Sequence, residues 1–425
     1  KRIRFNQYFN PRQGAKIMKY LEINNTNVVY ENIKDTPRCA IYLYFETDKP
    51  FPYEGVHILE GNLLLQGTKT KTAEQIASEL ENLGIEVSID SRLDFLKISI
   101  VCLMEDIDFA LDTVNDILLN STFNSFEKEV YKFKGDTISS LDSPVTKASD
   151  AFYREIFKNH KYSLTNTKLL ETVDNMKKED VINYHNNLLS GRKIISIAAD
   201  IQNENEFINK VVSKLNSMKN SSQINQINDE IKTYEPNIVK IAKNDAKQAQ
   251  IFQGFITEGL YSKDYPKLCV LNNVLGASGL SSRLFVELRD KKGLAYTVRS
   301  SYKTMKHGSL IILYIGTEPT NIKKSLEGFR YEIERLIKDP PRKDELQGAI
   351  ENYIGKFKYF YTQTNSQIAG ANGWNWIMNL GFDFHTVILD EIKKVTRDDI
   401  IECTEKYLLK DPVTVVLAPD EYLNF

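Results

Sequence analysis

Nowhere does the chain run apolar for the ~18 residues that a membrane-crossing helix requires, so no membrane span is expected. Charge of one sign is lacking too. The 55 Lys and Arg against 57 Asp and Glu leave a net charge of −2, which gives no electrostatic footprint for a nucleic-acid partner. Cysteine is scarce, and Cys39, Cys102, Cys269 and Cys403 show no C-x-x-C spacing. They read as isolated buried thiols rather than a metal or redox motif. Of the five histidines, His160, His185, His307 and His385 have no ligand spacing and read as surface or structural residues. The small-residue run GASGLSSR at 276–283 lacks the Gly-Lys-Ser/Thr ending of a phosphate loop, and reads as a turn leading into a helix. The chain opens on Lys1 rather than methionine, as a trimmed chain or one that has lost a leader would, and the compartment stays open.

What the chain does contain is repetition. At 425 residues it is long enough for two domains, and 42% hydrophobic with 26% charged residues is ordinary for a globular protein. Residues 171–200 and 390–420 follow the same course: an acidic start, a Lys/Arg-Glu/Asp-Asp cluster, an apolar-periodic helix, a break, and a β-rich strand ending at Asp200 or Asp420. Gly84 and the strands after it pair in the same way with Gly293 and its strands, each set leading to an amphipathic helix, at 107–118 and 321–336. Such self-similarity marks an internal duplication.

Strands are expected at 40–45, 96–103, 250–256 and 309–315, with helices between them. The fold class read from this is α+β: two similar domains, each a mixed, largely antiparallel sheet with helices on one face. The first domain is placed at 1–217 and the second at 236–425. The polar stretch 218–235 between them, rich in Ser, Asn and Gln, reads as a linker. Trp374 and Trp376 are expected to pack in the second domain.

One segment carries chemistry. In GVHILEGNLLLQGT at 55–68, His57 and Glu60 occupy the first and fourth places of the pattern H-x-x-E-H. That pattern sets two imidazoles at i and i+4 on one helical face, with a glutamate to activate metal-bound water. The fifth place is Gly61, which can ligate nothing.

Three segments together resemble the insulinase/pitrilysin-like zinc peptidases, particularly the processing-peptidase branch: GVHILEGNLLLQGT, FEKEVYKFKGDTISSLDSP at 126–144, and LGASGLSSRLFVELRDKKGLAYTVRSSY at 275–302. The resemblance spans nearly the whole chain. It implies two similar α+β domains, a zinc site in the first domain of one half, and an arginine and a tyrosine reaching it from the opposing half. Here that pair falls on Arg289 and Tyr296. The acidic third ligand falls on Asp136, an aspartate where the family has glutamate. Peptides are expected to add as a strand near Gly84–Asp90, at Gly84, Glu86 and Ser88.

With Gly61 and Asp136 in these places the site is short of ligands, so no zinc or other cofactor is expected in this chain. The leading reading is a non-zinc subunit of a heterodimeric metallopeptidase. It would form half of a peptide chamber and lend Arg289 and Tyr296 to a homologous zinc-bearing partner acting on peptide substrates. The alternative is a non-catalytic scaffold or peptide-binding protein that keeps the fold. A peptidase with an unusual ligand set ranks last.

Overall fold

The computed structural model describes residues 18–47, 53–219, 231, 233–361 and 363–425. The chain forms two compact units. One takes the described residues of Lys1–Gly135, Leu170–Ile227 and Lys358–Phe384; the other takes those of Asp136–Leu169, Asn228–Phe357 and His385–Phe425.

The first unit is built on β1 (Met18–Ile23), β2 (Thr26–Asn32), β3 (Arg38–Glu46), β4 (Glu86–Ser91), β5 (Phe95–Leu103) and β6 (Lys193–Ala199), in the order β1-β2-β6-β3-β5-β4. The second is built on β7 (Asn237–Ala242), β8 (Ala249–Thr257), β9 (Ala295–Thr304), β10 (Ser309–Thr317) and β11 (Val413–Ala418), in the order β7-β11-β8-β10-β9. Without β1, the two orders coincide strand for strand. Each sheet has one parallel pair, β2 with β6 and β7 with β11, and its other pairs are antiparallel. The duplication read from the sequence is thus a duplication of topology, and the fold class is α+β with mixed sheets. All four expected strands lie inside β3, β5, β8 and β10, and the two amphipathic helices are Ile107–Asn120 and Ile322–Lys338.

Four helices matter below: α1 (Val56–Leu63), α2 (Pro144–Ile156), α3 (Lys178–Leu189) and α4 (Asn365–Ile377). Two of them are exchanged between the halves of the chain. α4 comes from the second half but packs on β3 and β6 of the first unit, where Tyr44 Oη donates to the Gly370 carbonyl at 2.8 Å and Ser196 Oγ to that of Ala369 at 2.7 Å. A Cβ at Gly373 would stand 2.4 Å from the Tyr44 ring, so only glycine allows this approach. α2 comes from the first half and packs on β8 and β11. Its Phe152 stacks on Phe252 at 5.9 Å between ring centroids and fills the space over Gly254, where a Cβ would lie 2.3 Å from the ring.

The exchange corrects one expectation. Trp374 and Trp376 belong to the first unit, and the Arg192 guanidinium lies 3.8 Å from the Trp376 ring centroid while donating to the Trp376 carbonyl at 2.9 Å. The compact units also cut across the halves 1–217 and 236–425, because each half lends the other a helix. Successive residues of β3 from Cys39 to Leu43 are buried on both alternations apart from half-buried Tyr42, so the cover is fuller than a single helical layer. Within the expected linker, residues 220–230 and 232 lie outside the described residues; ahead of them Ser217 and Met218 are buried. All four cysteines are buried free thiols, and Cys39 and Cys102 are register partners on β3 and β5, a proximity hidden by their sequence separation.

Because each sheet needs a helix from the other half, residues 1–217 and 236–425 expressed as separate chains should each misfold alone, yet form a stable soluble complex when co-expressed. Size-exclusion chromatography and thermal unfolding check this. A cooperative transition for either half by itself would show that the exchanged helix is dispensable.

Candidate functional site

α1 begins after Gly55, whose φ of +93° suits glycine, and it buries Val56, His57, Leu59, Glu60, Gly61 and Leu63. A helix buried on so much of its circumference places its polar side chains inside the protein, where each needs a partner. Glu60, fully buried, meets His185 of α3: Oε1 lies 2.7 Å from Nδ1. The other ring nitrogen, Nε2, lies 2.7 Å from the Leu118 carbonyl. A carbonyl only accepts, so Nε2 carries a hydrogen and Nδ1 faces the carboxyl, an arrangement suited to the imidazolium. Phe123 packs edge-on to the ring at 5.3 Å. Burial pushes the His185 pKa down, but the hydrogen bond and charge of Glu60, with the Leu118 carbonyl, outweigh it and hold the value above the ordinary one.

On the opposite flank α1 meets the edge strand β4, which pairs with β5 alone among the described residues. Ser91 Oγ donates to the His57 carbonyl at 2.7 Å. A Cβ at Gly61 would stand 3.2 Å from Ser91 Cβ and 3.4 Å from Ile89 Cγ2. Glu86 and Ser88 are exposed on β4, whereas Gly84 lies before the strand in a left-handed turn with φ +63°.

These residues do not fit a zinc ion. Gly61 offers no ligand atom where a second imidazole would stand, Ser91 and Ile89 crowd that position, and the glutamate in the base position is tied to His185. Asp136 is exposed on the helix Phe126–Leu141 and falls in the second unit. Among the described residues no three His, Cys, Asp or Glu side chains group so as to hold a metal. The buried acid of that helix is Glu129, seven residues earlier and in the same unit as His57.

His185, which the sequence reads as a surface or structural residue, is buried and structural, whereas Glu129 stands in no sequence motif. A signal existed for both: His185 shares a stripe with Val181, Tyr184 and Leu188, and Glu129 one with Phe126 and Phe133.

In the second unit, Arg289 lies on a π-helical segment, Phe285–Lys291, that ends at Gly293 with φ +60°. The left-handed glycine turns the chain straight into edge strand β9, which brings Tyr296 back beside Arg289. The guanidinium lies 4.9 Å from the Tyr296 ring centroid and 4.6 Å from that of Phe285. Tyr296 is 78% exposed. The pair is therefore adjacent in space as well as in sequence. Upstream, the GASGLSSR turn presses Gly276 against β9, where a Cβ would lie 2.4 Å from the Ser300 nitrogen.

The family model for insulinase (peptidase family M16) matches residues 27–168, and that for the peptidase M16 inactive domain matches residues 175–353. The chain belongs to the insulinase-like family M16. Among its M16 relatives, an uncharacterized zinc protease, YmxG of Bacillus subtilis strain 168, is 25% identical over 95% of this chain and 98% of its own. A protein of Helicobacter pylori strain 26695 named non-peptidase homolog YmxG is 23% identical, covering 91% and 90%. The crystal structure of a peptidase M16 inactive domain from Pseudomonas fluorescens shares the fold, with a TM-score of 0.86 at 17% identity over 99% of this chain and 98% of that one.

The raised His185 pKa makes stability depend on pH. A folded value above the unfolded one gives a contribution that is full below ~6.5 and lost as pH climbs through the folded value. Urea unfolding between pH 6 and 9 should show this decline in the native protein but not in Glu60→Gln/His185→Gln. Equal declines in both would overturn the assignment. Removing His185 alone, as His185→Leu, strands the buried Glu60 and should cost about 3–5 kcal/mol.

Proposed function

We propose that this M16 chain is a non-catalytic member that binds extended peptides and serves a homologous zinc-bearing subunit in trans, lending it Arg289 and Tyr296. The observation that carries the reading is a contrast between the two units. The first keeps the zinc-motif helix but has a glycine, packed against Ser91 and Ile89, in the place of its second ligand. The second holds Arg289 of a π-helical segment beside the exposed Tyr296 of edge strand β9. A guanidinium and a phenol can both donate to a carbonyl oxygen as it becomes an oxyanion. The zinc that would activate water belongs to the partner. The name of the Helicobacter relative and the inactive-domain family model support a non-catalytic role.

β4 supports the peptide arm of the proposal. Its outer edge is unpaired among the described strands, and exposed backbone groups of an edge strand accept an added strand.

A second reading has an observation of its own. Arg289 stacks on both Phe285 and Tyr296, so packing alone gives a reason to keep the pair, as a scaffold would.

Tyr296→Phe separates the readings because it keeps the ring and removes the donor. Co-expressed with a homologue carrying an intact H-x-x-E-H, Tyr296→Phe and Arg289→Ala should assemble normally and lower turnover by about 10²–10³. Peptide affinity should change less. Wild-type turnover in both assembled variants would leave the scaffold reading standing.

A further inference from the structure

We infer that Gly61 and Ser91 form a latch between α1 and β4, so that the place of the lost ligand now holds the edge strand in position. His57 and Gly61 are one helical turn apart and share a face. β4 lies against that face through two contacts: the 2.7 Å bond from Ser91 Oγ to the His57 carbonyl, and the close packing of Ser91 and Ile89 over Gly61.

The strand is also touched by the helix Ala73–Asn82, and its Asp90 pairs with Lys97 at 3.2 Å. It pairs with β5 alone among the described residues, and none of its six residues is fully buried. α1 is by contrast a firm support, held on α3 by the buried Glu60–His185 pair. The latch thus ties the fixed position of α1 to the Ser91 end of the strand.

A Cβ at position 61 would stand 3.2 Å from Ser91 Cβ, so any side chain there asks the strand to give by a few tenths of an ångström, and a β-branched one asks for more. The latch stands on the contacts themselves; its consequence for ligands rests on the peptide-binding reading of β4.

Two variants test it in the full chain: Ser91→Ala removes the bond, and Gly61→Val fills the contact. Hydrogen–deuterium exchange of the segment 86–91 should rise about tenfold in both, with β3 and β6 unchanged. Affinity for a fluorescein-labelled, proline-free peptide should fall about threefold to tenfold. If β4 exchanges as in the native protein in Ser91→Ala, the latch is refuted, whatever becomes of the bulkier variant. If exchange rises but the native protein binds no peptide, the latch stands and the peptide-binding reading is the part that fails.

Discussion

A glutamate fully removed from water, hydrogen-bonded to a buried histidine, is the constraint on which the first unit turns. Leaving either partner alone in the interior is costly, so α1 and α3 are joined at that point. With α1 fixed, its other polar face is offered to β4, and that face is where an M16 zinc peptidase would assemble its metal. Here it receives a serine instead. The glutamate in the position of a catalytic base has become a strut, and the glycine in the position of a ligand has become a seat for a strand. Both changes convert a reactive helix into a supporting one.

The second constraint is the exchange of helices. A sheet whose central strand is apolar on both alternations must be covered on both faces, and neither half of the chain does this alone. α4 covers the first sheet through glycines and alanine that let it approach Tyr44 and Ser196; α2 covers the second through Phe152 set over Gly254. Each exchange relies on glycine at the point of closest approach, on the helix in one case and on the strand in the other.

The surfaces left by this architecture are two strand edges. β4 and β9 end their sheets at equivalent places in the duplicated order. One lies against the disused zinc-motif helix, and the other carries the exposed Tyr296 beside Arg289.

The sequence by itself settled the class, the duplication and most strand positions, which rest on local signals: strand alternation and helical periodicity. Arg289 and Tyr296 were marked by the family resemblance of the segment 275–302. His57, Glu60 and the missing ligand at Gly61 were also legible, because a helix fixes i, i+3 and i+4 without help from the rest of the fold. Tertiary structure alone decided what surrounds them. His185 is 125 residues from Glu60, and Ser91 is 34 from His57, so neither contact leaves a periodic trace. The exchange of α2 and α4 was hidden for the same reason. An amphipathic helix shows that it has an apolar face, but which sheet covers that face is decided only when the whole chain packs.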